Sequence, residues 1–228
     1  MTGEGGLYFI ETLGCPKNQV DSDKLEGTLI ADGMTAAESA DQADLIVVNT
    51  CAFIEEAREE SIHTILALDN DRSDNSKLIV TGCMAERYGD ELAEALPEAD
   101  SIAGFGVPVT IGSKPKAPLL DLLHLPRPPS RSPWAYVKIA EGCDRACGFC
   151  AIPTFRGPQR SRTIDDICRE VDELHAKEIV LVAQDLAAFG RDQGKGERSI
   201  VPLIKAVSER TDWVRLLYLY PSDLNDAL

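Results

Sequence analysis

The feature that most constrains the fold is an alternation of short apolar runs with helical segments. In the first half the runs are "LYFI", "DLIVVN" and "KLIV". They are rich in Val and Ile and carry little polar alternation, which is typical of strands buried in a parallel sheet. Because a helical segment follows each run, the first half is predicted to form an open α/β sheet.

Two helices are predicted in this half. The first spans residues 21 to 32 and ends at Gly33, and the second spans residues 55 to 68. Apolar residues at helical spacing predict their inward faces. The inward residues are Leu25, Leu29 and Ile30 in the first helix and Ile62, Ile65 and Leu66 in the second.

A proline-rich stretch, residues 106 to 133, interrupts the alternation. Proline does not suit a central strand or a helix interior, so we interpret the stretch as a linker. Within it, "LLDLLHL" is predicted to be a short helical or docking segment.

The alternation then restarts. Strands are predicted at "WAYVKIA", "EIVLVAQ" and "WVRLLYLY", with helices over residues 163 to 176 and 199 to 210. Thr163, with Asp166 three positions later, has the form of a capping box at a helix start. Repeated strand–helix units suit a parallel barrel. Because the chain stops soon after the third strand, we expect a C-terminally truncated fragment of a longer protein.

Composition limits the setting of the protein. Of its 228 residues, 44% are hydrophobic, yet no apolar run approaches the roughly 20 residues of a membrane helix, and the first residues lack a signal-peptide pattern. We therefore expect a cytoplasmic protein with no membrane association. In a reducing compartment its seven cysteines favour metal or redox chemistry over disulfides.

The charge is unevenly distributed. Residues 1 to 105 contain 22 acidic and six basic side chains, a net charge of -16, whereas residues 106 to 228 contain 16 and 17, a net charge of +1. An acidic first half would repel phosphate backbones and attract a basic partner, although a merely solvated surface explains it as well.

Three cysteines, Cys143, Cys147 and Cys150, form a Cys-x-x-x-Cys-x-x-Cys pattern after the first strand of the second half. We call them the loop triad. Structural zinc normally takes four ligands, and no fourth Cys or His lies near in sequence. Three thiolates instead favour a 4Fe-4S cluster with one iron open to a small ligand.

Three further cysteines, Cys15, Cys51 and Cys83, each follow an apolar strand. We call them the dispersed triad. Loops after parallel strands converge at one edge of a sheet, so these thiols are predicted to share a site. Gly14 and Gly82 precede two of them and suit tight turns close to a cofactor. The seventh, Cys168, lies on an inward helix face and is predicted to pack in the core.

The loop triad resembles the signature of the radical S-adenosylmethionine (SAM) superfamily. The resemblance implies that the open iron binds SAM, and that an electron from the cluster cleaves SAM to a radical that abstracts hydrogen from carbon. Phe149 matches an aromatic position near the adenine in many members; a loop aromatic covering the core is the alternative.

Together, the two triads resemble the methylthiotransferase family over nearly the whole chain. The resemblance implies an N-terminal open parallel-sheet (flavodoxin-like) domain at residues 1 to 105 with an auxiliary cluster. It further implies an incomplete radical SAM (β/α) partial barrel at residues 134 to 228, with its first three strands only. Two 4Fe-4S clusters, bound by all six cysteines, and SAM are the implied cofactors, and C–H is replaced by C–S–CH3.

The strings "GCPKNQVDSD", "CAIPTFRGPQRSR", "LVAQD" and "RLLYLYPSDL" resemble the branch that modifies an aspartate of small-subunit ribosomal protein S-twelve. The implied partners are that protein and an electron donor such as flavodoxin or ferredoxin. RNA contact is expected only through a further C-terminal domain. A tRNA adenosine substrate and an inactive cluster-binding fragment remain alternatives.

Two smaller sets of residues each allow two interpretations of their role. Arg156, Arg160 and Arg162 could bind a substrate or SAM carboxylate, or pair with nearby acids. Lys17 and Asn18 could line the auxiliary site, although turn chemistry explains Asn18 equally well.

Overall fold

The computed structural model describes residues 5–107, 109, 121–194 and 199–224. The chain divides into two compact units, Met1–Arg127 and Pro128–Leu228. Within the described residues, no helix combines the length and apolar character needed to cross a bilayer.

The first unit is built on five parallel strands in the order β2-β1-β3-β4-β5. The strands are β1 (Leu7–Thr12), β2 (Thr35–Ala36), β3 (Leu45–Thr50), β4 (Lys77–Gly82) and β5 (Ser101–Ala103). This is the flavodoxin-like order 2-1-3-4-5, and all six residues of central β3 are buried. The predicted open parallel sheet is confirmed.

Three helices accompany this sheet: α1 (Pro16–Ala31), α2 (Glu55–Asp71) and α3 (Cys83–Ala95). Helix α1 begins earlier than predicted, with Pro16 in its first turn, where its missing N–H costs no hydrogen bond. Gly33 follows the helix end with φ +84°, as predicted.

The predicted inward positions Ile30 and Leu66 are wrong, because their exposed fractions are 45% and 37%. Leu25, Leu29 and Ile65 are buried as predicted, and Ile62 is half-buried. Helix α1 also buries polar residues, listed here: Lys17, Asn18, Asp21, Ser22 and Lys24. Apolar spacing could not locate its buried face because that face is largely polar.

The end of the predicted linker packs on α1. The fully buried Lys24 donates from Nζ to the carbonyl oxygens of Leu123 (3.3 Å) and Leu125 (2.7 Å). Arg127 pairs with Asp23 at 2.8 Å. Residues 108 and 110–120, including the first two positions of the predicted docking segment, lie outside the described residues.

A polar contact joins β4 to the segment before β5. Asp100 accepts hydrogen bonds from the Leu78 amide (2.9 Å), Arg72 (2.5 Å) and Lys77 (2.9 Å). Burial would raise the pKa of Asp100, but these donors and the charge of Arg72 outweigh it and lower the pKa to about 2.

The second unit contains three parallel strands in the order β10-β9-β6 and a two-stranded antiparallel pair, β7-β8. Its strands are β6 (Trp134–Lys138), β7 (Ala140–Glu141), β8 (Arg160–Ser161), β9 (Glu178–Val182) and β10 (Trp213–Leu216). Its helices are α4 (Ile152–Arg156), α5 (Ile164–Leu174) and α6 (Ile200–Ser208). Strands in sequential spatial order, joined by helices, are the start of a (β/α) barrel, as predicted.

Local chemistry sets the start of α5. The Thr163 hydroxyl accepts a hydrogen bond from the Asp166 backbone amide at 3.1 Å, which is the predicted N-cap. The Asp166 carboxylate accepts from the Thr163 hydroxyl, not from a backbone amide as a complete capping box requires. Cys168 is 6% exposed beside the core of this unit, as predicted.

Candidate functional site

The dispersed triad lies at the carboxyl edge of three neighbouring strands. Cys15 precedes α1, Cys51 follows β3, and Cys83 is the first residue of α3, directly after β4. Since β1, β3 and β4 are adjacent in the sheet, its topology brings the three loops to one edge. Cys51 and Cys83 are buried, whereas Cys15 is half-buried.

One side chain, Asn18, contacts the loops of all three cysteines. Its Oδ1 lies 3.6 Å from the Cys83 sulfur and 4.0 Å from the Cys15 sulfur. Its Nδ2 donates to the carbonyl of Thr50, the residue before Cys51, at 2.9 Å. Asn18 is fully buried inside α1, so the turn interpretation is wrong. Lys17, the other candidate for lining this site, is also buried.

Two glycines allow the chain segments around the dispersed triad to approach one another closely. A Cβ at Gly14 would lie 2.7 Å from the Cβ and 2.9 Å from the Sγ of Cys51. A Cβ at Gly82 would lie 2.6 Å from the Thr50 carbonyl oxygen. Both glycines have positive φ, +91° and +90°, which disfavours any other residue.

The loop triad lies between β7 and α4 in the second unit. The Cys143 amide donates to the Gly157 carbonyl at 3.1 Å, and the Cys150 amide donates to the Cys147 carbonyl at 3.0 Å. All three cysteines are half-buried and line one cavity of about 250 Å³. Its other lining residues include Arg145, Phe149, Gln184, Asp185, Tyr218 and Tyr220.

A cation between two carboxylates forms one wall of this cavity. Arg145 donates from Nε to Asp185 at 2.5 Å, pairs with Asp223 and lies 3.9 Å from the ring centroid of Tyr220. Burial would lower the pKa of Arg145, but its two carboxylate partners raise it, so it stays charged. The other oxygen of Asp185, Oδ1, is buried and has no partner among the described residues.

A buried ion cluster fixes the start of the triad loop. Glu141, two residues before Cys143, accepts from Lys138 at 2.7 Å and from Arg156 at 3.0 Å. Gln184 donates to the same carboxylate at 2.7 Å. Burial would raise the pKa of Glu141, but the charges of Arg156 and Lys138 outweigh it and hold that pKa well below its usual range.

Arg156 and Arg162 pair with acids, which is one of the two interpretations that the sequence allowed. Arg156 binds Glu141, and Arg162 binds the buried Glu170 at 2.5 Å. Their side chains are only 2% and 4% exposed, whereas Arg160 is exposed. Arg156 and Arg162 therefore hold the loop around the site and do not offer free guanidinium groups to a substrate.

Two aromatic residues at the cavity stand out. Phe149 is 87% exposed, so it does not cover the core, and the alternative considered above is wrong. Tyr218 has a φ of +67°, which is uncommon for a large side chain and costs roughly 1–3 kcal/mol. Such strained residues concentrate at functional sites.

Sequence reasoning missed Arg145 and Asp185 as site residues. Their positions after parallel strands or beside cysteines were the available signal, but nothing in the sequence said which atoms they face. All seven cysteines are free thiols. Within the described ranges, no three His, Cys, Asp or Glu side chains surround a point closely enough to hold a single metal ion.

The donor chemistry fits iron–sulfur clusters. Thiolates are the usual ligands of such clusters, and each triad supplies three. The orphaned Asp185 oxygen at the loop triad is a feature expected where a further group binds.

Comparison with known proteins gives consistent results. Residues 7–104 match a family model described as "Uncharacterized protein family UPF0004". The chain is 44% identical to the ribosomal protein uS12 methylthiotransferase RimO of Anaeromyxobacter sp. (strain K), over 96% of this chain and 51% of that protein. It is 40% identical to RimO of Acetivibrio thermocellus, over 96% and 54%. The chain thus spans about half the length of the curated relatives it matches.

One solved structure, the cobalamin-dependent S-adenosylmethionine radical enzyme OxsB, matches 90% of this chain and 37% of its own, with a TM-score of 0.51 and 11% identity. At that identity the match concerns the fold alone, and it supports the predicted fold class. The predicted resemblance to the methylthiotransferase family is confirmed by the relatives named RimO.

Proposed function

We propose that this chain, similar over nearly its whole length to proteins named RimO, carries the two cluster sites of a radical SAM methylthiotransferase. The loop triad would hold the 4Fe-4S cluster that binds SAM, and the dispersed triad would hold an auxiliary 4Fe-4S cluster. The proposed reaction adds a methylthio group to the β-carbon of an aspartate in ribosomal protein uS12.

The observation that carries this proposal is the convergence of the dispersed triad around one buried side chain. Buried lone cysteines are ordinary core residues, but Cys15 and Cys83 both face Asn18 Oδ1, and Asn18 also binds the residue before Cys51. A generic radical SAM protein needs the loop triad alone. Three more thiols at one sheet edge are expected when a second cluster presents sulfur.

When bound, the clusters would supply the electron for SAM cleavage and an open iron for sulfur. The residues of the chain bind and orient these groups. Glu141, Arg156 and Lys138 hold the triad loop in place. Arg145 is a fixed cation at the cavity wall, and the orphaned Asp185 oxygen is an acceptor for the ammonium group of an amino acid. Phe149 offers a ring for stacking on the adenine.

Charge supports a basic protein partner. The first 105 residues carry a net charge of -16, which would repel tRNA and attract a ribosomal protein, since ribosomal proteins are generally basic. We place the reaction in the cytoplasm, with an electron donor of the flavodoxin or ferredoxin type.

Iron and sulfide analysis after anaerobic reconstitution tests the cofactors. The chain should bind about eight iron atoms, and alanine at all three positions of either triad should reduce this to about four. One cluster or none in the unsubstituted chain would refute the two-cluster proposal.

Mass spectrometry of uS12 coexpressed with the chain tests the reaction. We expect a modified aspartate carrying one methylthio group, absent when Cys143 is replaced by alanine. Methylthio-adenosine in tRNA nucleosides, with unmodified uS12, would instead show the tRNA alternative. Two bound clusters with neither product would show that the 228 residues bind clusters without turnover.

A further inference from the structure

The arrangement around Asn18 goes beyond a side chain that merely lies near thiols. Nδ2 donates two hydrogen bonds, to the carbonyl oxygens of Leu13 and Thr50, both at 2.9 Å. Leu13 lies two residues before Cys15, and Thr50 lies one residue before Cys51. The side-chain amide of Asn18 therefore joins the loop before Cys15 to the loop before Cys51. Asn18 and Thr50, the residue it binds in the second loop, are 32 residues apart in sequence.

These bonds determine which way the amide oxygen points. Both hydrogens of Nδ2 are directed at carbonyl acceptors, so exchanging the nitrogen and oxygen would set an oxygen against two other oxygens. Oδ1 must then face the sulfurs of Cys83, at 3.6 Å, and Cys15, at 4.0 Å. All three cysteine loops thus meet at one side chain that has no exposed surface.

The backbone of Asn18 is held as well. Its N–H donates to the Cys15 carbonyl at 2.8 Å, and its carbonyl accepts from Asn49 Nδ2 at 2.8 Å. Asn49 lies at the end of β3, so the contact fixes the helix start against the central strand. These backbone hydrogen bonds, together with those of the side chain, leave Asn18 little freedom to move.

We propose that Asn18 is a positioning residue for the auxiliary cluster, holding the three cysteine loops at their spacing before iron arrives. This inference rests on the proposed function, since it assumes that the dispersed triad binds a cluster. The neutral amide organises three loops without placing a charge beside thiolate sulfurs, which are anionic when they bind iron. A carboxylate there would repel them and cannot donate to Leu13 and Thr50.

The test uses a chain in which the loop triad is replaced by alanine, so that the dispersed triad alone can hold a cluster. In this background Asn18→Ala and Asn18→Asp are compared with the unsubstituted chain after anaerobic reconstitution. Iron release to excess ferrous chelator should become about 10- to 100-fold faster in both variants, the usual effect of losing a residue that orients metal ligands. The electron paramagnetic resonance spectrum of the reduced cluster should change, and its midpoint potential should be lower for Asn18→Asp.

Two controls separate positioning from general destabilisation. Gln19→Ala removes the exposed neighbouring amide, which binds Asp23 at 2.9 Å, and should leave release and spectrum unchanged. Leu29→Ala removes a fully buried side chain of the same helix and should lower the thermal midpoint of the apoprotein. It should leave the spectrum unchanged.

The outcomes distinguish the two proposals. If the background chain binds no cluster, the proposed function and this inference both fall. If it binds a cluster whose release rate and spectrum are unaffected by Asn18→Ala, only the inference falls. A spectrum altered equally by Leu29→Ala would also overturn it, since the effect would then come from lost stability.

Discussion

Replacing Gly82 by alanine should destabilise the first unit far more than the same change at Gly33. Both glycines have similar positive φ, +90° and +84°. At Gly82, with ψ -160°, the backbone lies in a region that is essentially restricted to glycine. The surroundings differ: a Cβ at Gly33 meets no atom within 4 Å, whereas one at Gly82 overlaps the Asn49 side chain and the backbone of Thr50.

The magnitudes follow from these two differences. Gly33→Ala costs about 1 kcal/mol, from the left-handed conformation alone. Gly82→Ala costs about 1–3 kcal/mol in backbone strain. Steric overlap adds about 1–3 kcal/mol, because the Cβ would lie 2.6 Å from the Thr50 oxygen and 2.7 Å from its nitrogen, and β3 must move. We therefore expect a total of about 4 kcal/mol for Gly82→Ala.

Urea unfolding measures the difference. With a slope of about 2 kcal/mol per molar urea, the midpoint should fall by about 2 M for Gly82→Ala and about 0.5 M for Gly33→Ala. Far-UV circular dichroism reports the unfolding of both units. Tryptophan fluorescence reports the unfolding of the second unit alone, since Trp134 and Trp213 both lie in it. Equal midpoint shifts for the two variants would refute the argument from close packing at the edge of the sheet.

Three further predictions concern single side chains. Glu141→Gln keeps the shape of the side chain but leaves the buried Arg156 without the carboxylate of Glu141. The free energy of unfolding, measured by tryptophan fluorescence, should therefore fall by about 3 kcal/mol. An unchanged value would contradict the pairing. Cys168→Ala should leave the iron content of the reconstituted chain unchanged, because this buried thiol belongs to the core; iron loss would make it a ligand. Asp100 has a folded pKa of about 2, below its ordinary 3.8, so its stabilising contribution is present above pH 4 and is lost as the pH falls toward 2. The difference in unfolding free energy between wild type and Asp100→Asn should therefore shrink over that range, and a constant difference would refute the assignment.

Much of the candidate site could be predicted because its signals are local or topological. The spacing of Cys143, Cys147 and Cys150 lies within one loop, so no long-range information is needed to group them. Cys15 and Cys83 could be grouped because parallel strands place the loops at their carboxyl ends along one edge.

Other features depended on burial that apolar spacing does not report. Ile30 is exposed although its spacing predicted an inward face, because α1 buries Lys24 and Asn18 instead. Leu66, on α2, is exposed as well. Polar residues become buried when specific acceptors satisfy them, and the sequence does not name those acceptors. Lys24, for example, meets carbonyl groups about 100 residues away.

By itself, the sequence determined the class of fold, the six candidate ligands and the family resemblance, since these follow from periodicity, spacing and short strings. Tertiary structure alone decided which atoms meet. Arg145 pairs with Asp185, forty residues away, and Arg156 forms an ion pair with Glu141. Asn18 directs its side-chain oxygen at two sulfurs. The physical reason is that hydrogen bonds and ion pairs act over a few ångströms and depend on direction, whereas sequence patterns specify only which face or edge a residue occupies.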